Sequence, residues 1–249
     1  MRIAVLADVH GNVRALHAVL HDIDHQSPDL ILNLGDCLSG PLEAADVAET
    51  LMARGFPTIA GNHDRQLLTT PRSEFGASDR AADAQLTDAH REWLRGFPAT
   101  MSVADELFLC HGSPRSDLEY LLEDIDGGRM RLVSREHLLE RVAGVPENAR
   151  VVLCGHSHIP RSVMLDGRLL VNPGSVGLQA YTSKDPVPHV GETGSPQARY
   201  ALLDRRNAAW RVSLVAVEYD WTAAAASAAA VGFDEWALSL ASGYAAPLA

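Results

Sequence analysis

The chain has 249 residues, of which 47% are hydrophobic and 21% are charged, so it can bury a core and is not an intrinsically disordered protein. Its 21 Lys and Arg residues against 32 Asp and Glu residues give a formal net charge of −11, which repels a phosphate backbone and argues against general nucleic-acid binding. Three cysteines, a low and odd number, argue against a scaffold built on disulfides.

Short apolar runs alternate with helical patterns through the first half of the chain. Strands are predicted at 3–7, 30–34 and 58–60, and helices at 13–23 and 42–52. This order of strand, helix, strand, helix and strand is typical of an α/β core with mainly parallel strands.

The second half of the chain is richer in strands. They are predicted at 107–110, 151–154, 162–165, 169–171, 200–203 and 212–217, followed by a terminal helix at 222–240 that is broken near Gly232. With no linker or repeat in view, we expect a single domain spanning residues 1–249. Segments 69–85 and 178–197 are predicted as long loops and are candidate lids. Tyr181 and His189 in the second loop could contact an aromatic group of a substrate, although loop residues are more often simply exposed.

No apolar run in the sequence approaches the length of a membrane span. The run before Asp8 is too short for a signal peptide, and the stretch at 223–231 falls well below the roughly 20 residues that a spanning helix needs. We therefore expect a cytoplasmic protein without a membrane partner.

Polar side chains that can bind metals follow five of the predicted strands, and most have a glycine beside them. They are Asp8 and His10, Asp36, Asn62 and His63, His111, and His156 and His158. Ligands of open α/β sheets bind beyond the carboxyl ends of the strands, so these side chains should converge there. Residues two apart in extended backbone point the same way, which would bring Asp8 and His10 to one site.

Each short motif could have a merely structural role, because Asn and Asp often bond their own backbone in turns. Five such motifs at five strand ends are better explained by a metal site. The mixture of imidazole, carboxylate and amide ligands suits zinc, manganese or iron better than calcium or magnesium.

The same motifs, in the same order from residue 8 to residue 158, resemble the signature of the calcineurin-like metallophosphoesterases. Residues 172–177, Asn-Pro-Gly-Ser-Val-Gly, resemble a further segment of the small bacterial phosphodiesterase branch. The resemblance implies an α/β fold of four layers, an αββα sandwich in which two mixed β-sheets are flanked by helices.

The resemblance also implies two divalent metal ions, with manganese favoured over iron, zinc, nickel and cobalt. The first ion would be bound by Asp8, His10 and His158, the second by Asn62, His111 and His156, and both by a bridging Asp36. His63 would be the catalytic residue, facing the substrate without binding a metal.

The implied function is a phosphodiesterase that hydrolyses a small phosphodiester by direct attack of a metal-bridging hydroxide. A phosphomonoesterase or nucleotidase with the same site, or a non-catalytic scaffold, stays open as an alternative. A protein phosphatase is disfavoured, because residues 37–40 lack the second Asp and the Arg-Gly of that branch, and because Asp64 stands where that branch has Glu.

Four further residues are candidates for contacts with a small phosphate-ester substrate: Asn12, Arg65, Ser113 and Arg161. An arginine near the metals could bind a phosphate in a bidentate fork, but it could equally be a solvated surface residue. The sequence leaves the oligomeric state open.

Overall fold

The computed structural model describes residues 1–207 and 209–248. Its strands are β1 (Arg2–Leu6), β2 (Leu30–Asn33), β3 (Thr100–Val103), β4 (Leu107–Cys110), β5 (Glu123–Asp126), β6 (Arg129–Leu132), β7 (Val151–Leu153), β8 (Arg161–Leu165), β9 (Arg168–Asn172), β10 (Ala180–Ser183), β11 (His189–Glu192), β12 (Ala198–Arg206) and β13 (Ala209–Val217). Its helices are α1 (Val13–Gln26), α2 (Ala44–Arg54), α3 (Asn62–Thr69), α4 (Ala77–Asp83), α5 (Asp88–Arg95), α6 (Arg135–Arg141), α7 (Trp221–Ala230) and α8 (Asp234–Ser242).

Two mixed sheets form the centre of the fold. The first has the strand order β13-β12-β1-β2, with β1 parallel to β2 and antiparallel to β12. The second has the order β3-β4-β7-β9-β8, in which β4, β7 and β9 run parallel to one another. The parallel strands place their carboxyl ends, and the loops that follow them, at common edges of the sheets.

Alternate residues of the central strands pack on opposite faces, which produces the layers. Ile3 and Val5 of β1 lie in the core between the two sheets, whereas Ala4 and Leu6 pack with helices α1 and α2. On the second sheet, Phe108 belongs instead to an outer cluster that includes residues of α6. The order helix, sheet, sheet, helix confirms the αββα sandwich.

A third mixed sheet, with the order β10-β11-β6-β5, corrects the expectation of only two sheets. Half of it comes from segment 178–197, so the prediction of an irregular loop there is wrong. Its strands are four residues long and largely polar. β11 pairs with β10 and β6, and within the described residues its only contribution to an apolar cluster is Val190. Such strands leave little trace in a hydrophobic pattern.

Two other predicted segments also differ from the structure. Segment 69–85 contains a 3₁₀ turn at Arg72–Glu74 and helix α4, because Pro71 and Gly76 lie just ahead of these elements instead of interrupting them. The strand predicted at 58–60 is reduced to a single parallel bridge between Asn33 and Thr58. The break in the terminal helix near Gly232 is confirmed, since α7 ends at Ala230 and α8 begins at Asp234.

Across residues 1–207 and 209–248, none of the helices combines the length and the apolar character that crossing a membrane requires.

Candidate metal centre

The loops that follow β1, β2 and β7 have an unusual backbone conformation. Five non-glycine residues in them have a positive φ: Asp8 (57°), His10 (49°), Asp36 (53°), His156 (67°) and His158 (60°). The left-handed region is costly for side chains with a Cβ, and it is often retained at functional sites. All five are predicted metal ligands. The expected extended backbone between Asp8 and His10 is therefore wrong, and a tight turn brings their side chains together instead.

A first group of ligand atoms is formed by Asp8, His10 and His158, all of them buried. Nδ1 of His10 donates to the carbonyl of Ser39 (2.9 Å), and Nδ1 of His158 donates to the carbonyl of Leu178 (2.7 Å). The Nε2 atoms of these two rings, which keep their lone pairs, are only 3.1 Å apart, and the Asp8 carboxylate lies 3.6 Å from Nε2 of His158. Acceptors held this close repel one another unless a cation lies between them.

A second group contains Asp36, His111 and His156. Nδ1 of His111 donates to the carbonyl of Leu34 (2.7 Å), so its Nε2 faces Oδ2 of Asp36 at 3.2 Å. His156 is turned the other way, because its Nε2 donates to the carbonyl of Leu118 (3.2 Å) and its Nδ1 is left to face the group. In both groups a backbone carbonyl selects the imidazole nitrogen that can bind a metal.

The side-chain amide of Asn62 adds a fourth atom to the second group. One of its two polar atoms lies 2.9 Å from Nδ1 of His156, 3.3 Å from Nε2 of His111 and 3.2 Å from Oδ2 of Asp36. An amide nitrogen there would donate to these three acceptors. The carbonyl oxygen, which the structure has at this point, would instead join the two imidazole nitrogens and the carboxylate as a ligand of a cation. The donor set therefore fits a divalent ion.

Asp36 stands between the two groups. Its Oδ2 lies 3.2 Å from Nε2 of His111 in the second group and 4.0 Å from Nε2 of His10 in the first. The loop that carries it is fixed by Asp64, whose carboxylate accepts the backbone N–H groups of Asp36 (2.7 Å), Cys37 (3.0 Å) and Gly61 (3.0 Å). This position suits a carboxylate that contacts two ions at once.

Burial and neighbouring charges shift the pKa values of the groups in the centre. Burial raises the pKa of Asp8 to about 8 and lowers the pKa of His10 to about 4. Burial also acts to raise the pKa of Asp36, but the neighbouring His111 and His63 outweigh it and hold that pKa well below its usual range. A divalent cation would favour the ionised form of both carboxylates and offset their burial.

His63 lies beside the two groups and is not part of either. Its Nδ1 donates to Oδ1 of Asp79 (2.8 Å), its backbone N–H donates to Oδ1 of Asp36 (2.8 Å), and its side chain is 29% exposed. Burial lowers the pKa of His63, but the carboxylates of Asp36 and Asp79 outweigh that effect and raise it to about 9. Asp79 was missed by the sequence analysis, because it lies on α4 in a segment predicted as a loop.

The model of the calcineurin-like phosphoesterase superfamily domain matches residues 1–204, well over half of the chain. The protein belongs to this superfamily. Superfamily members are phosphoric ester hydrolases that use divalent metals, and the two ligand groups suit that chemistry.

The similarity of this metallophosphoesterase to known proteins extends over almost the whole chain. A crystal structure of a metallophosphoesterase from Sphaerobacter thermophilus has 25% identity and a TM-score of 0.75, covering 98% of this chain and 100% of that one. A hypothetical protein from Pyrococcus horikoshii OT3 shares the fold at 19% identity, with a TM-score of 0.74 and coverage of 97% and 98%. An uncharacterised protein of Methanocaldococcus jannaschii is 25% identical over 233 residues, 88% of each chain.

The metallophosphoesterase has a cavity of about 900 Å³ in front of the ligand groups. His10, Asp36, Asn62, His156 and His158 line it. His63 lines it as well, whereas Asp8 and His111 lie behind their neighbours with almost no exposed surface. The cavity brings the predicted metal ligands and the predicted catalytic histidine into one space.

None of the four predicted substrate contacts lines this cavity within the described part of the chain. Asn12 is a structural residue, because its amide donates to the carbonyl of Gly177 (3.0 Å) and its Oδ1 accepts the N–H of Ala15 to cap helix α1. Ser113 is buried, and its backbone N–H donates to the carbonyl of Ser116 (2.7 Å).

The two arginines among these candidates are already paired with carboxylates. Arg65 forms two hydrogen bonds with Asp117, of 2.6 and 3.1 Å. Arg161 pairs with Glu123 (3.0 Å), whose carboxylate is buried and needs this counter-charge. Both arginines are thus engaged in ion pairs in this structure, and their contact with substrate stays a prediction.

Proposed function

We propose that this metallophosphoesterase is a dinuclear phosphodiesterase that hydrolyses a small phosphodiester. The observation that carries the proposal is the position of Asp36, whose carboxylate lies between two compact groups of buried ligand atoms. A site with two groups and one shared carboxylate suits a pair of ions better than a single ion.

Each of the two groups of ligand atoms would bind one ion. Asp8, His10 and His158 would bind the first ion; Asn62, His111 and His156 would bind the second; and Asp36 would contact both. When bound, two such ions withdraw charge from the phosphoryl oxygens and lower the pKa of a bound water towards about 7. We propose manganese as the native metal, with iron, zinc, nickel and cobalt also compatible with these nitrogen and oxygen ligands.

His63 would supply the remaining chemistry from the protein side. Because Asp79 accepts the proton of Nδ1, the Nε2 of His63 is the atom left to face the cavity. The two neighbouring carboxylates favour the protonated ring. A proton on Nε2 can stabilise charge on a phosphoryl oxygen or pass to the leaving alkoxide, which is general-acid catalysis.

The charges around the cavity favour a diester over a monoester. A monoester carries a second negative charge near neutral pH, and a phosphatase commonly meets it with an arginine. Among the described residues that line the cavity, Arg141 is the only cationic side chain apart from the histidines. It is paired with Asp124 at 2.6 Å. A singly charged diester needs no such extra cation.

The test is turnover by metal-stripped protein to which manganese, zinc, nickel or magnesium is added back singly. The substrates are bis-p-nitrophenyl phosphate and p-nitrophenyl phosphate, which share a chromophore and differ in charge. We expect metal-dependent turnover that favours the diester. A preference for the monoester would indicate a phosphatase with the same site, and no turnover despite two bound ions would favour a non-catalytic scaffold.

A further inference from the structure

The cavity extends outward from the metal ligands along a surface that we call the apolar wall. Its members are Leu118, Tyr120, Ile125, Tyr181, Pro186 and Val187. Leu118 and Val187 are 51% and 49% exposed although they are large and apolar. Apolar side chains exposed together at the mouth of a cavity mark a surface that binds something.

The inner end of the apolar wall touches the metal ligands. The ring of Tyr120 stacks on that of His156, with centroids 4.7 Å apart, and the ring of Tyr181 lies edge-on to His158 at 4.8 Å. The carbonyl of Leu118 accepts the proton of His156. A group bound on this wall would therefore be attached to the reacting phosphorus or lie directly beside it.

The tyrosines of the wall have no hydroxyl proton to offer a ligand. Tyr181 donates to the hydroxyl of Tyr120 (2.9 Å), and Tyr120 donates to Nε2 of His189 (2.9 Å). His189 is fully buried, and its Nδ1 donates to the carbonyl of Val187 (2.7 Å). This series of bonds uses every donor of the three side chains, so the tyrosines present aromatic surface to the cavity and cannot donate to an anionic oxygen.

The charged residues around the wall also disfavour an anionic group. Glu119, Glu123 and Arg141 line the cavity, and each is paired with a residue of opposite charge. Asp185 lines it too; this carboxylate is exposed, and no ion pair joins it to another residue in the described part of the chain. A phosphate or carboxylate placed here would meet acceptors and negative charge, whereas an uncharged group would only displace water from apolar surface.

We infer that the apolar wall is a subsite for one of the two ester groups of the substrate, and that this group is an uncharged aryl or alkyl group. The inference rests on the proposed diesterase function and narrows its substrate class. It excludes a second phosphate or a carboxylate at this end of the substrate. The binding energy would come from apolar burial against the wall, and the metal centre would bind the phosphate.

The experiment compares two diesters with the same reacting phosphate and leaving group, p-nitrophenyl phenyl phosphate and p-nitrophenyl methyl phosphate. Each rate is divided by the rate of alkaline hydrolysis of that diester, which removes the difference in intrinsic reactivity. Burying a phenyl ring on the wall should raise the normalised kcat/KM of the phenyl ester at least about tenfold over the methyl ester. A ratio near one, with both diesters hydrolysed, would overturn the inference and leave the proposed function intact.

A variant of the wall and a matched control locate the effect. Val187→Asp places a charge on the wall and should lower the kcat/KM of the phenyl ester about tenfold. Met164→Asp introduces the same charge at a side chain that is 63% exposed and does not line the cavity, and it should leave both substrates unchanged. Equal losses in the two variants would contradict the assignment of the wall.

A binding measurement separates this inference from the function on which it rests. Diphenyl phosphate and dimethyl phosphate are titrated calorimetrically into the manganese-loaded protein. We expect diphenyl phosphate to bind at least about tenfold more tightly, and Val187→Asp to abolish the difference. If no diester is hydrolysed with any metal, the proposed function is wrong, and this titration alone decides whether the wall selects apolar groups.

Discussion

The carboxylate of Asp79, on helix α4, accepts the Nδ1 proton of His63, at the start of helix α3, over 2.8 Å. Sixteen residues separate the two, and the bond fixes which nitrogen of the imidazole faces the cavity. Asp79 is itself almost fully buried, at 7% exposure, and the pKa of its carboxyl is lowered because His63 outweighs the effect of burial. The bond connects the segment predicted as a loop directly to the candidate catalytic residue.

Replacing His63 by alanine should remove turnover without removing the metals. The ring belongs to neither ligand group, so we expect two bound ions in His63→Ala, measured by elemental analysis of the dialysed protein. Loss of a general acid or of a charge-stabilising group should lower kcat by about 10²–10⁴-fold. A variant that keeps full activity would remove His63 from the mechanism.

Asp79→Asn should have a smaller effect, since the histidine stays in place but loses the partner that orients it. Loss of such an orienting partner typically costs about 10–100-fold in activity. Asp88→Asn is the matched control, because it makes the same change of charge at an exposed residue of α5. Comparable losses of kcat in the two variants would show that the bond between Asp79 and His63 has no special role.

The two ligand groups should lose their ions separately. His158→Ala removes a ligand of the first group, and His111→Ala removes one of the second, so we expect each variant to retain about one ion and the unchanged protein to bind two. Asp36→Ala, which removes the shared carboxylate, should lower the affinity for both. Isothermal titration with manganese measures the stoichiometry, and two full sites in Asp36→Ala would contradict a bridging role.

Removing the metals should destabilise the protein, because the centre buries the carboxylates of Asp8 and Asp36 and a bound cation would offset the cost of burying their charge. At a free metal concentration about 100 times the Kd, linkage adds about 2.7 kcal/mol to the free energy of unfolding for each bound ion, or roughly 5–10 °C in Tm per ion for a chain of this size. Thermal unfolding with chelator and after metal is added back measures the difference. Equal Tm values would argue against a high-affinity site.

Gly61 should tolerate no side chain, because the Asp36 loop lies directly against it. A Cβ at this position would overlap the Asp36 carboxylate and would lie 2.5 Å from its backbone nitrogen. Gly61→Ala should therefore displace Asp36 and lower both metal affinity and Tm. Gly76→Ala is the control, since its Cβ would meet nothing within 4 Å, and it should behave like the unchanged protein.

Much of the centre could be predicted because its residues follow buried strands. Hydrophobic runs define β1, β2 and β7 well, and the carboxyl ends of parallel strands meet, so Asp8, Asp36 and His156 were expected to converge. The left-handed turns that bring these side chains together could not be predicted, because they depend on bonds such as that between the Asp8 N–H and the Gly35 carbonyl.

The parts that the sequence did not predict depend on contacts between distant segments. Asp79 has no motif around it, and it reaches His63 only because α4 packs beside α3. The pairing of β11 with β6 is likewise a long-range contact between short polar strands. Arg65 and Arg161 form ion pairs with Asp117 and Glu123, and an isolated arginine in a sequence does not reveal such a partner.

Asp124, a carboxylate away from the metal centre, should contribute to the loss of folding stability as the pH falls. Asp124 on β5 accepts hydrogen bonds from the N–H of Ser134 (3.2 Å), Nδ1 of His137 (3.0 Å) and the guanidinium of Arg141 (2.6 Å). Burial raises its pKa, but these three partners outweigh that effect and hold the pKa below its usual value. The stability that they contribute is complete above the unfolded pKa and is lost as the pH falls through the lower folded pKa.

Asp124→Asn should therefore cost stability at neutral pH and matter less in acid. Because the site is partly exposed and screened, we expect a loss of about 1 kcal/mol at pH 7, or about 2–4 °C in Tm, and a smaller loss near pH 2. Asp126→Asn on the same strand is the control, since its ion pair with Arg131 is exposed and should contribute little. Thermal unfolding of the three proteins across this pH range measures the effect. A loss in Asp124→Asn that stays constant down to pH 2 would contradict a lowered pKa in the folded state.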